Sequence, residues 1–181
     1  KSYAMKLEVI RSLMFGTDVI IIDPEREYEF LAQAVGGTSF NISLTSANHI
    51  NPFDLPPPRE DESAADILRS NIINLVGLFR IMLGGLTPEE DALMDRAISE
   101  TYASRDITPE TDFTNMTPPL LSDLALILQN TEGAESLAIR IRKYTEGTWA
   151  GFLNQQTNID MRTRLVVFSV RDTEEELRPV A

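Results

Sequence analysis

The sequence holds 181 residues, 43% of them hydrophobic, with eight Phe, four Tyr and one Trp, which is enough apolar material for a substantial core. Sixteen Lys and Arg against 28 Asp and Glu give a formal charge of -12, which excludes a phosphate-coating DNA sleeve and leaves room only for local nucleic-acid contact. With no cysteine and a single histidine, His49, the chain cannot build disulfides, thiolate zinc sites, cysteine nucleophiles or ordinary Ser-His and multi-histidine metal sites.

In chain order, Leu7, Ile10, Leu13 and Met14 recur at helical spacing and predict an amphipathic helix over 1–15, ended by Gly16. Asp18 to Asp23 encloses four consecutive β-branched residues, the pattern of a strand buried on both faces in a parallel sheet. A short helix from Glu27 to Val35, closed by Gly36-Gly37, and a second strand from Thr38 to Leu44 follow. Asn51 to Pro58, reading NPFDLPPP, can continue neither element and marks a boundary. Beyond it the period becomes 3.6: Ala65, Leu68, Ile72, Leu75, Val76, Phe79 and Leu83 form one stripe. Thr87-Pro88-Glu89-Glu90 is a helix start with a capping-box pattern, opening a helix through Leu93, Ala97, Ile98 and Tyr102. Two more helical segments are predicted after Thr117-Pro118-Pro119 and from Glu135 to Tyr144. Leu165 to Val170 returns to a strand, and Thr173 to Leu177 looks like the acid-rich first turn of another helix.

The fold class expected is α/β, a sheet domain interrupted by a large α-helical insertion: residues 1–58 and 147–181 in the sheet part, 59–146 in the insertion. The insertion carries 16 acids and 8 bases, so its net charge of -8 is most of the total. No apolar run approaches the roughly 20 residues of a membrane span, and the N-terminus lacks a signal-peptide pattern. The expectation is a soluble chain whose membrane attachment would run through a partner.

The chemistry is sought at two places. Lys1-Ser2 leads directly into a helix, as the last two residues of a phosphate-binding GxxxxGK[ST] loop do, where backbone N–H groups and the helix dipole hold phosphates. Alone, that pair is also what an arbitrary chain start would look like. Asp23-Pro24-Glu25-Arg26-Glu27 follows a buried strand, where open α/β sheets place ligands, and its acids could order metal-bound water or act as general base. Asp-Pro also simply favours a turn. Three other features carry a local reading first: His49 as a turn histidine, Arg140, Arg142 and Lys143 (with Arg162 and Arg164) as solvated charges rather than an arginine finger or strand-tracking patch, and Trp149 with Phe152 as an apolar anchor rather than a base-stacking platform.

Lys1-Ser2 before a helix, Val19 to Tyr28 reading VIIIDPEREY, Ile50 to Leu55 reading INPFDL and Leu165 to Val170 reading LVVFSV, taken in that order, resemble the type IV secretion and conjugation ATPases. The similarity is to the C-terminal ATPase domain of the TraC-like class, also called VirB-four, and extends over nearly the whole chain. It implies a partial RecA-like P-loop sheet domain of the FtsK/HerA superfamily with ATP and Mg as cofactors. It further implies a homo-oligomer, with hexamers among the family's assemblies, and partners among the other secretion components, the coupling protein included. The implied location is cytoplasmic and peripheral at the bacterial inner membrane. By resemblance Lys1 matches the Walker A lysine, with a catalytic and nucleotide-binding role, and Ser2 the hydroxyl that holds the metal. Asp23, Glu25 and Glu27 match the acidic segment after the second strand, Asp23 and Glu25 supporting the nucleotide and Glu27 in a catalytic role. The Walker A glycines are expected before Lys1 and the Walker B acids after Ala181, so the chain is expected to be a piece cut at both ends and a poor ATPase by itself. Two alternatives stay open: a DNA translocase of the HerA or FtsK type, against which the acidity counts, and a non-catalytic docking module presenting residues 59–146.

Overall fold

Residues 2–43, 47–57, 62–146, 150–159 and 162–170 are described by a computed structural model of the chain. They fall into two units, one built from the chain up to Asn48 and from Asn158 onward, the other from His49–Thr157.

In the first unit the apolar spacing near the start becomes α1 (Ser2–Met14), followed by β1 (Val19–Asp23), α2 (Glu29–Val35), β2 (Thr38–Asn41) and, far along the chain, β3 (Leu165–Ser169). The three strands form one parallel sheet in the order β1-β3-β2, with Ile21 opposite Val167 and Asp23 opposite Ser169 on one side, and Asn41 opposite Ser169 on the other. Parallel strands need a crossover, and α2 supplies it between β1 and β2, which lie on either side of β3. Its end is set by two glycines. Gly36 takes a left-handed φ of 73°. The Gly37 N–H donates to the Ala32 carbonyl at 2.8 Å. A Cβ on Gly37 would lie 2.7 Å from the Leu165 carbonyl oxygen, so the chain passes β3 closer than a side chain allows.

Val9 of α1 and Ala32 of α2 pack with Leu165 and Val167 into a core that Leu13, Val19, Ile21, Tyr28 and Leu31 surround. Both helices therefore cover the face that carries Val19 and Ile21. Ile20 and Ile22, which alternate to the opposite face, are 69% and 61% exposed. This corrects the expectation of a strand buried on both faces: among the described residues of this unit, helices lie on one side only. The second helix also begins later than its pattern suggested, at Glu29 instead of Glu27, because residues 24–28 are taken up by a turn.

The second unit is helical: α3 (Ala64–Met82), α4 (Pro88–Ala103), α5 (Leu121–Gln129), α6 (Glu135–Thr145) and the short α7 (Ala150–Leu153), which no sequence pattern announced. Each of the first four packs on the next. Local chemistry fixes the starts. The Ser63 hydroxyl accepts the Asp66 N–H at 3.1 Å, and at α4 the capping box is complete, with Thr87 Oγ1 accepting from Glu90 N and Glu90 Oε2 accepting from Thr87 N. Phe53, Phe79, Met94, Ile98, Tyr102, Leu121, Leu124, Leu128, Leu137 and Ile141 are fully buried at its centre.

The INPFDL segment is a clasp in this unit. Asn51 is 2% exposed. Its amide donates to the Pro119 carbonyl at 2.9 Å and to Gln156 Oε1 at 3.3 Å, while its Oδ1 accepts the Phe53 N–H. The Asn51 N–H donates to Thr157 Oγ1, which in turn donates to the Asp54 carboxylate. Phe53 stacks edge-on against Tyr102 at 5.5 Å, and the Tyr102 hydroxyl donates to the Phe53 carbonyl at 2.9 Å. The segment thus ties both ends of the helical unit together.

Candidate functional site at the carboxyl edge of the sheet

Only four residues separate α1 from β1, so α1 runs antiparallel to the strand and its N-terminus returns to the carboxyl edge of the sheet. A contact marks the arrangement: the Lys6 ammonium, in the second turn of α1, sits 5.4 Å from the centre of the Tyr28 ring, just after β1. A helix start, three strand ends and the acidic turn after β1 therefore share one edge. The first N–H groups of a helix have no intrahelical partner, and with the helix dipole they favour an anion there.

The acids of the turn divide by burial. Asp23 is 2% exposed, and its two carboxylate oxygens accept the Glu25 N–H at 3.3 Å and the Tyr28 N–H at 2.8 Å. Its job in this geometry is to shape the turn, and the left-handed Arg26 (φ 59°), ion-paired to Glu29 at 3.0 Å, completes it. Glu25 and Glu27 project into solvent beyond the edge. The structure thus brings Asp23, Glu25 and Glu27 together in one turn, one carboxylate inside and two outside. Lys1 and the Ser2 side chain lie outside the described residues; the Ser2 backbone opens α1. On the helix-covered face, Asn41 and Ser169 stand in register with Asp23, so the strand ends form a polar row.

Among the described residues no three His, Cys, Asp or Glu side chains are grouped to hold a metal ion. Magnesium at this edge would rely on oxygens brought by a phosphate ligand, on water and on a single hydroxyl, which is how that ion is commonly held beside a nucleotide. Two exposed carboxylates beyond a helix start are chemically suited to orient the water of such an ion or to accept a proton from it.

The basic cluster of α6 has structural employment. Arg140 donates to the Leu83 carbonyl at 3.1 Å and the Gly85 carbonyl at 2.9 Å and pairs with Glu90, clamping the end of α3 to the start of α4. Arg142 pairs with Glu146 at 3.5 Å, and Lys143 lies over the Tyr144 ring. His49 is half-buried, and Trp149 and the Phe152 side chain lie outside the described residues. Half-burial pushes the Asp54 carboxyl up from its ordinary value, partly offset by the Thr157 hydroxyl, and burial pushes the Tyr102 phenol up. Both belong to the clasp. Among the described residues no helix is long and apolar enough to cross a membrane.

No protein-family model matches the sequence, and no curated protein matches it. Among solved structures the chain is similar to VirB4 of Thermoanaerobacter pseudethanolicus, with a TM-score of 0.79 and 28% sequence identity over 95% of this chain. The match takes in 47% of the solved chain, so this chain spans about half its length. The small parallel sheet with its helices matches part of the RecA-like fold of that protein.

Proposed function

Since the chain carries a partial VirB4-like domain, we propose that it contributes the nucleotide site of a P-loop ATPase that energises type IV secretion, pilus assembly and conjugative transfer. The observation that carries this reading is the meeting of the α1 N-terminus with the acidic turn after β1 at one edge of a parallel sheet. ATP with magnesium supplies the phosphoanhydride bond and the divalent charge.

The chain's residues then act as follows. Lys1 neutralises charge on the terminal phosphate, and the Ser2 hydroxyl is a metal ligand. The free N–H groups of the first turn of α1 receive phosphate oxygens. Asp23 holds the turn from inside, which aims Glu25 and Glu27 outward. Glu27 is assigned the catalytic role of orienting water or taking its proton, and Glu25 supports the nucleotide and its ion. Homo-oligomerisation, contact with other secretion components including the coupling protein, and a cytoplasmic position at the bacterial inner membrane complete the proposal.

The test is turnover in the complete gene product. Lys1→Ala should abolish ATP hydrolysis while the melting temperature is kept, and Glu27→Gln should lower kcat far more than it raises KM. Wild-type turnover in Lys1→Ala would sink the assignment.

A further inference from the structure

The outer face of α3 carries a second apolar seam, separate from the stripe that faces the core. Ile73, Gly77 and Ile81 recur at intervals of four, and the two isoleucines are 63% and 54% exposed. Beside this seam, between α3 and α4, lies a groove of about 460 Å³ floored by Ile73, Val76, Gly77 and Ala92 and edged by Arg80 and Asp95. A second hollow of about 210 Å³, which shares Ile73 and Asp95, continues it toward Pro109.

Gly77 is the telling residue. Glycine in a helix interior destabilises the helix relative to alanine, and it is normally kept there by a close neighbour or an unusual backbone. Here a Cβ would meet no heavy atom within 4 Å, and the backbone is ordinary helix. Nothing among the described residues uses the missing side chain. Its absence opens the floor of the groove toward the outside.

Charge decides what would fit. Every arginine among the described residues of α3 to α6 and their connections is already paired with an acid: Arg69 with Asp66, Arg80 with Asp91, Arg96 with Glu100, Arg105 with Asp123, Arg140 with Glu90 and Arg142 with Glu146. The Asp95 carboxylate, at the junction of the two hollows, has no ion-pair partner among the described residues. The groove is thus an apolar floor with unbalanced negative charge on its rim.

We propose that the α3–α4 groove docks a cationic amphipathic helix of a partner protein. Leucine-sized residues spaced three and four apart would lie over Gly77 between Ile73 and Ile81, and a Lys or Arg would reach Asp95. This is independent of the nucleotide reading, because the groove lies wholly in the helical unit.

The experiment uses the full chain and a fluorescein-labelled helical peptide of Leu and Lys with its leucines on one face, followed by anisotropy. A peptide of the same composition with its leucines dispersed serves as the comparison. The amphipathic peptide should bind saturably, with the dispersed one, Gly77→Leu and Asp95→Lys each weakening binding about tenfold or more. A Cβ at Gly77 meets no heavy atom within 4 Å, so Gly77→Leu enters the open groove, and its melting temperature should equal or exceed that of the wild type. Wild-type affinity in both variants, or equal binding of the dispersed peptide, would overturn the proposal. A concentration-dependent dimer that Gly77→Leu abolishes would also overturn it, by giving the groove to a second copy of the chain.

Discussion

Asp23 shows how much of a site depends on one side chain's direction. In the sequence it stands first in a run of acids after a strand, equally suited to hold a ligand or to begin a turn. The structure buries it and gives both carboxylate oxygens to backbone N–H groups, at 3.3 and 2.8 Å. Asp23→Ala leaves those donors without their acceptor, and a part-buried unsatisfied donor costs about 1–3 kcal/mol. Urea unfolding of Asp23→Ala should show a loss of that size, and Glu25→Ala and Glu27→Ala should unfold as the wild type does. An unchanged midpoint for Asp23→Ala would remove its role in shaping the turn. Burial direction is what the sequence could not express here, because an Asp-Pro pair is the same letters whichever way the carboxylate points.

At the scale of elements, the parts set by local chemistry were legible and the parts set by distant partners were not. The α4 start is the clearest success, since Thr87, Pro88 and Glu90 lie within one turn and the capping box they spell is present. The α3 stripe was equally readable, with Leu68, Leu75, Val76 and Phe79 all buried. The β1 coverage was misjudged because four β-branched residues state a strand but not which of its faces a helix will cover. Nor could the INPFDL segment be read as a clasp. The Asn51 amide finds Pro119 and Gln156 68 and 105 residues away, so its role exists only in the folded unit.

The joint between α3, α4 and α6 turns on Glu90, and this gives a pH dependence. Its carboxyl is held below the ordinary 4.5 first by the Thr87 N–H and then by Arg140, with Ser136 adding to it. A depressed folded value means stability that is fully present above 4.5 and lost as pH falls through the lower, folded value. Glu90→Gln should therefore melt below the wild type at neutral pH, with the gap closing as the solution is acidified below 4.5. Thermal melts across that range measure it, and a gap that stays constant with pH would show that charge is not what Glu90 contributes.

Considered whole, the chain joins two kinds of surface chemistry. The sheet unit presents a helix start and two exposed carboxylates at one edge, and the helical unit presents acids in excess of its paired arginines. The order of short motifs along the sequence was enough to find the family resemblance, and the similarity to VirB4 over 95% of the chain agrees with it. What the motifs could not supply was the three-dimensional edge, which arises because α1 folds back beside β1 and β3 returns from beyond the helical unit to lie between β1 and β2.

The central claim is that this edge receives the phosphates of ATP. Hydrogen–deuterium exchange of the complete gene product, with and without magnesium and a non-hydrolysable ATP analogue, addresses it most directly. The expected result is slowed exchange at the amides opening α1 and across residues 24–28, with the α3–α4 groove unchanged. Unaltered exchange at the α1 start in the presence of saturating nucleotide, or protection confined to the helical unit, would contradict it.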